Sequence, residues 1–371
     1  MTIKLLAVLA CVSTGCIPAL AHHSLAAEYD DKKPLTLKGA VTKFDWTNPH
    51  VFVFLDVADP GGGITNWAVE FPSRIELKRD GWTQESIRIG EVVTIDASLA
   101  RDGSKQANAK VVILSNGKRL NAAPAPFLKV SQPAGPTPRW PDGHPRLGVV
   151  PGETGYWSST AASILEETGA SVRMNSDGLL ANIADAGKVA PFQPWAKGLY
   201  EYRQKTLLKD DPMAACLPPG GPRQFQVPYG IQIVEQPEKK RVFAMSGGGN
   251  HNWRLINLDA RAHQPDDVIP TYYGDSVGKW EGDTLVIDTL GFNERFWFTN
   301  GGLPHTESLH LTERLSRPDF NTLKYEVRVD DPGAYTRPWS GSWALQWIPN
   351  QEIEEYFCDE YNRDNEHIEG K

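Results

Sequence analysis

The sequence predicts a mainly β protein with two β domains and a short helical part between them. Short alternating or apolar runs, separated by turn residues, fill residues 34–116 and the chain beyond residue 225. Residues 121–152 hold eight prolines and little apolar periodicity, which is typical of a semi-extended linker. A chain of 371 residues is long enough for two or three domains of ordinary size.

The first β domain, residues 22–120, is predicted to be an OB-like five-stranded barrel. Its strands are expected at 34–44, 50–57, 65–71, 91–99 and 107–115. A short helix is expected at 73–79, and a helix between the third and fourth of five strands is the layout of an OB-type barrel. The fold by itself assigns no function.

Residues 153–224, after the linker at 121–152, are predicted to form a helical and irregular lead-in packed on the second β domain. One short helix is expected at 177–186. A stronger one is expected at 194–208, where a proline stands in the first turn and Leu199, Arg203 and Leu207 are four residues apart.

The second β domain, residues 225–371, is predicted to be an antiparallel eight-stranded barrel of calycin or lipocalin type, with a two-sheet sandwich as the alternative. Its strands are expected at 229–235, 241–246, 252–258, 284–289, 305–315, 322–329, 339–348 and 353–358. Two long loops, 259–280 and 290–304, interrupt the pattern, and long loops in a compact domain are often functional.

Composition and the N-terminus indicate where the protein works. The net charge of −8 disfavours nucleic acid and anionic lipid as partners. Residues 1–21 combine Lys4, a short apolar run and an Ala-Leu-Ala site, which predicts a signal peptide cleaved after Ala21 and a periplasmic or secreted protein. A lipoprotein attached through Cys16 is the weaker reading. No other run is apolar and long enough to predict a transmembrane segment.

Cleavage after Ala21 would leave two cysteines, Cys216 and Cys358. A pair of cysteines in an exported chain suggests one disulfide. Two buried free thiols are the alternative.

The phase of the late strands selects the candidate site residues. On an extended strand at 305–315, His305, Glu307 and Glu313 share a face with apolar leucines, so all three are expected to point into the barrel or line its mouth. The candidate acid–base groups are His305, Glu307 and Asp288. The expected ligand-binding residues, aromatic or polar groups of the inward faces and neighbouring turns, are Tyr325, Trp343, Trp347, Trp280, Arg254 and Asn293.

Structural roles compete with these functional ones. A buried polar network bracing the 290–304 loop would use His305 and Glu307 equally well, and a packed core would use the tryptophans. A second polar group, residues 250–254 with Asp259, Arg261 and His263, could frame a mouth for an anionic group or be solvated turn residues.

The new N-terminus is a possible copper site. The free α-amine and imidazole of His22, completed by His23 or His50, would suit copper. A frayed terminus is the alternative.

Two parts of the sequence resemble known families. The stretch "AHHSLAAEYDDKKPLTLKGAVTKFDWTNPHVFVFLDV" resembles the start of an exported bacterial family, domain of unknown function 6152. The segments "PFQPWAKGLYEYRQKTLLKDDPMAACLPPGGPR", "GDSVGKWEGDTLVIDTLGFN", "LPHTESLHLTER" and "DDPGAYTRPW" resemble a second family of secreted bacterial proteins without an assigned activity. The second resemblance implies that Cys216 and Cys358 belong to one module, and it carries no activity to transfer.

The sequence therefore predicts an exported binding protein that holds a small apolar or aromatic ligand in the C-terminal barrel. The alternative is a barrel enzyme, a hydrolase, hydratase or isomerase, in which His305 and Glu307 act as acid and base. Copper binding at His22 is a third hypothesis, and otherwise no cofactor is expected.

Overall fold

A computed structural model describes residues 25–123, 135–159, 172–175, 177–227, 229–248, 252–263 and 269–358. The described chain is mainly β, as predicted. It holds an N-terminal sheet and a separate C-terminal barrel.

The N-terminal sheet contains all five predicted strands and one short addition. They are β1 Tyr29–Asp45, β2 Val51–Ala58, β3 Ile64–Phe71, β4 Val92–Ala100, β5 Gln106–Ile113 and β6 Arg119–Asn121. The sheet order is β3-β2-β1-β4-β5-β6, and a parallel pairing of β3 with β5 joins the first five strands into a ring. Gly39 is needed at the β1–β2 contact, because a Cβ there would lie 2.5 Å from the carbonyl oxygen of Asp56.

Two short helices accompany this sheet. Helix α1, Leu25–Glu28, precedes β1, and helix α2, Arg74–Arg79, follows β3 where the sequence predicts it. A capping box starts α2: the Ser73 hydroxyl accepts from the Glu76 amide, and the Glu76 carboxylate accepts from the Ser73 amide.

The C-terminal barrel closes in the order β10-β11-β12-β13-β14-β15-β7-β8-β9. Its strands are β7 Gly155–Ser159, β8 Ile231–Gln236, β9 Arg241–Ser246, β10 Trp253–Asn257, β11 Asp275–Glu281, β12 Thr284–Leu290, β13 His310–Asp319, β14 Thr322–Asp330 and β15 Trp339–Pro349. Closure confirms the barrel over the sandwich. The strand count is corrected from eight to nine in the described chain, and the β10–β11 pairing is parallel.

Two strands were missed. β7 is buried at every position, so it shows no polar–apolar alternation. β11 contains Gly278, where a Cβ would lie 2.7 Å from Leu258, and its sequence DSVGKWE looks like a turn. Conversely, residues 353–358 form no strand, and residues 305–309 precede β13 rather than belonging to it.

The helical part is shorter than predicted. Helix α3 covers Pro194–Lys205, and it ends where Leu207 and Leu208 adopt positive φ angles of 57° and 62°. In place of the helix predicted at 177–186 there is a 3-10 helix, Ile183–Lys188.

A disulfide joins Cys216 to Cys358, 142 residues apart, with a Cα–Cα distance of 5.6 Å. Both cysteines are buried in an apolar cluster that also holds Tyr229 and Tyr356, whose ring centroids are 4.9 Å apart. Ile75 of α2 belongs to the same cluster, so the N-terminal module contacts the tail of the barrel there.

Removing this disulfide is expected to lower the free energy of unfolding substantially. In the chain-entropy account, opening a loop of 142 residues costs up to about 5 kcal/mol. We expect the double variant Cys216→Ser, Cys358→Ser to unfold at a lower urea midpoint than the oxidised protein. The reduced natural protein is the control and should match the variant. An unchanged midpoint would show that the link contributes nothing.

Candidate functional site

A buried ion pair occupies the middle of the barrel. Arg254 of β10 is 1% exposed, and Glu313 of β13 is 0% exposed. The guanidinium binds the carboxylate with both of its terminal nitrogens, and the Nη1–Oε1 distance is 2.9 Å. Arg254 also donates to Ser276 and Thr289, at 2.9 Å and 2.6 Å, and the Tyr325 hydroxyl donates to Glu313 at 2.6 Å. The charge of Arg254, predicted to face a ligand, is thus neutralised inside the protein.

The ionisation of this group is tuned by its surroundings. Burial lowers the pKa of Arg254, but the adjacent Glu313 carboxylate outweighs burial and the net shift is upward. Burial raises the pKa of Tyr325 well above its ordinary value, and Glu313 adds to that shift. Arg254 therefore stays charged and Tyr325 stays a hydrogen-bond donor.

Aromatic rings fill the barrel on one side of the ion pair. A fully buried 3-10 helix, Gly221–Phe225, enters there. Phe225 stacks on Tyr325 at 4.7 Å between ring centroids, and Tyr325 meets Trp343 at 4.3 Å. Trp343 Nε1 donates to the Phe225 carbonyl at 3.0 Å. The predicted ligand-lining residues Tyr325 and Trp343 thus contact this helix.

Arg317 lies four residues beyond Glu313 on β13, toward the same end of the barrel as Tyr325, which pairs with Leu315. Its guanidinium lies over the rings of Trp157 and Trp347, 4.8 Å and 5.5 Å from their centroids. It also donates to the carbonyls of Arg146 and Gly148. Trp347 is 1% exposed and belongs to the core.

His305 and Glu307 have different environments. His305 is 6% exposed, and its Nε2 lies 3.1 Å from the Phe296 carbonyl while its Nδ1 lies 3.3 Å from the Thr306 carbonyl. Burial lowers the pKa of His305, although the two carbonyl contacts oppose that shift. Glu307 is exposed. The expectation that both residues share an inward strand face does not hold, because residues 305–309 are not part of a strand.

Asp288 lies instead in a row of four polar side chains on the barrel's outer wall. His263 Nδ1 is 2.7 Å from Asp275, and His263 Nε2 is 3.1 Å from Asp288. His310 Nε2 is 2.7 Å from the other oxygen of Asp288. Two imidazoles and two carboxylates therefore alternate along this row, and His263 attaches the connection between β10 and β11 to the wall.

The remaining predicted residues are dispersed. Trp280 stacks on His144 at 4.9 Å, and Asn293 is 9% exposed and accepts from the Arg295 amide. His50 is 8% exposed, and its Nδ1 contacts the Glu70 carboxylate. The other predicted copper ligands, His22 and His23, lie outside the described residues.

A cleft of about 320 Å³ opens between β8 and the proline-rich segment. Its walls include Trp140, Arg146, Glu153, Gln232, Glu235 and Glu352. It adjoins the barrel end that Arg317 fills, because Arg146 and Gly148 both line the cleft and accept from Arg317.

Glu235 holds the proline-rich segment to the barrel. Its carboxylate accepts from Trp140 Nε1 at 3.0 Å and from the Leu147 and Gly148 amides at 2.9 Å each. Burial raises the pKa of Glu235, and these three donors oppose the shift. Gly148 permits this close approach, since a Cβ would lie 2.1 Å from the Ile233 carbonyl oxygen.

The sequence-based prediction missed this cleft because residue 140 lies outside every periodic run. A usable signal was the turn sequence Trp140-Pro141-Asp142-Gly143, which projects an aromatic side chain from an otherwise polar stretch. Residue 235 was placed in a predicted strand, but nothing local showed that its carboxylate meets the segment near residue 147.

No group of three or more His, Cys, Asp or Glu side chains within the described ranges has the arrangement of a metal site. None of the helices described is long and apolar enough to cross a membrane.

Comparison with known proteins confirms one resemblance. The sequence profile of a family of unknown function, DUF6152, matches residues 8–109, which include β1 to β4 and most of the predicted first domain. No curated protein is significantly similar to the chain, and no solved structure is either.

We expect the His263→Ala variant to loosen the connection between β10 and β11. The substitution removes both carboxylate contacts of the ring, which at this partial exposure contribute about 1 kcal/mol together. Amide hydrogen exchange at residues 258–263 and 269–274 should accelerate several-fold. His144→Ala, which removes a different surface histidine, is the control. Equal exchange in both variants would contradict a fastening role for His263.

Proposed function

We propose that the protein is an exported binding protein whose small ligand, with an apolar or aromatic part, occupies the cleft beside Trp140. The cleft supports this proposal because it combines an aromatic wall with a few convergent polar groups and has the size of a small-molecule site. The barrel interior, where the ligand was first expected, holds the ion pair and the packed rings instead.

The two modules support a binding role in different ways. The ring β1-β2-β3-β5-β4, with a helix between β3 and β4, supports an OB-type barrel as the N-terminal fold, and most such barrels bind ligands. The C-terminal barrel provides a rigid wall for the cleft. We take the second family resemblance, to secreted proteins, to cover this C-terminal part.

Export is part of the proposal. The signal-like residues 1–21 support it, and a disulfide between Cys216 and Cys358 is expected in an oxidising compartment. Copper binding by a mature N-terminus at His22 stays a separate proposal. His50 is a poor third ligand for it, because it is buried against Glu70.

The alternative, a barrel enzyme, has one favourable observation. Asp288 contacts His263 and His310, and His310 is exposed enough to meet a substrate. Against it, the row lies on the outer wall of the barrel, where Asp288 and His310 are partly exposed to solvent. His305 is buried and Glu307 is exposed, so the pair first proposed as acid and base is poorly placed.

The binding proposal is tested with N-phenyl-1-naphthylamine, a neutral apolar dye that fluoresces when it leaves water. We expect saturable binding with one site per chain. Gln232→Trp should fill the cleft from β8, and Trp140→Ala should remove its aromatic wall, so each should weaken binding by tenfold or more.

Trp195→Ala is the matched control, because Trp195 is an exposed tryptophan on α3 away from the cleft. It should bind the dye as the natural protein does. Absence of saturable binding, or full binding by Gln232→Trp, would overturn the proposed site.

A further inference from the structure

We infer that the cleft selects a small organic cation, an ammonium or guanidinium group carried on an aromatic or apolar body. This inference rests on the proposed binding function and adds the chemical class of the ligand. Two features of the cleft support it: the excess of carboxylates along its walls and the cation–π contact already present there.

The ionisable groups that line the cleft are unbalanced. Three carboxylates, Glu153, Glu235 and Glu352, face one guanidinium, Arg146. Arg317 lies behind the wall, 2% exposed, with its guanidinium nitrogens bound to backbone carbonyls and its plane against aromatic rings. Even when Arg317 is included, negative charge exceeds positive charge.

The carboxylates differ in how free they are to meet a ligand. Glu235 is already satisfied by three N–H donors, so it supplies a fixed negative potential. Glu153 and Glu352 are exposed at the rim, where a cationic group can reach them directly. Glu235 therefore attracts a cation from a fixed position, and the two rim carboxylates are free to contact that cation directly.

A cation already lies on the aromatic wall. The Arg146 guanidinium sits 3.5 Å from the centroid of the Trp140 ring, close enough for a cation–π contact. Trp140 is fixed beneath it because its indole N–H donates to Glu235. An incoming ammonium or guanidinium group would take the place of Arg146 on the indole, beside the same carboxylates.

The opposite ligand charge does not fit. A carboxylate or phosphate would face Glu153 and Glu352 with only Arg146 as a partner, and Arg146 is engaged with Trp140. Like charges at such a site disfavour binding and slow encounter. A neutral molecule would gain the aromatic contact alone.

Three probes with the same aromatic body and different charge separate these cases. Calorimetry at pH 7 and low salt compares 2-phenylethylammonium, 2-phenylethanol and 3-phenylpropionate. We expect the ammonium to bind at least tenfold more tightly than the alcohol and the carboxylate to bind least. Added salt should reduce the preference for the ammonium, since the rim carboxylates are exposed to screening.

Matched variants locate the effect. Glu153→Gln and Glu352→Gln should each weaken ammonium binding about threefold to fivefold and leave binding of the alcohol unchanged. Glu238→Gln removes an exposed carboxylate from the nearby turn after β8 and should change neither.

The possible outcomes separate the preference for a cation from the binding function on which that preference rests. If the neutral dye binds at the cleft but the ammonium shows no preference over the alcohol, the cation inference is overturned and the binding function stands. If neither the dye nor any of the three probes binds, both fail.

Discussion

The buried ion pair between Arg254 and Glu313 is the constraint on which the barrel depends. Two opposite charges inside a protein are tolerated only when they meet each other with good geometry and their remaining hydrogen-bonding groups are satisfied. Here Ser276, Thr289 and Tyr325 complete the set, so side chains from five neighbouring strands, β10 to β14, converge on one network. The pair therefore fixes how these strands are arranged around the lumen.

With the interior filled in this way, the cleft proposed to bind a ligand lies outside the barrel. The 3-10 helix Gly221–Phe225 packs on the rings beyond the ion pair, and Arg317 packs on Trp157 and Trp347 further along β13. The same Arg317 also donates to carbonyls of the proline-rich segment and helps to hold it beside β8. The residue that packs on the barrel's tryptophans, Arg317, therefore also holds one wall of the outer cleft in place.

The strands that alternate polar and apolar residues could be predicted from the sequence, because this alternation is a local pattern. The strand expected at 322–329 is β14, and Tyr325 lies on its buried face as predicted. Strand β7 is buried on both faces and carries no such signal. The candidate site could be predicted least, because Arg254 and Glu313 are 59 residues apart and Trp140 and Glu235 are 95 apart. Only the folded chain brings each pair together.

A double-mutant cycle on Arg254 and Glu313, measured by urea unfolding, tests this account most directly. Arg254→Met or Glu313→Leu alone leaves an uncompensated buried charge and should cost about 3–5 kcal/mol of unfolding free energy. The double variant leaves no charge, so its cost should be smaller than the sum of the two by at least about 2 kcal/mol. Costs that add within about 0.5 kcal/mol would contradict the account, because the two side chains would then not depend on each other.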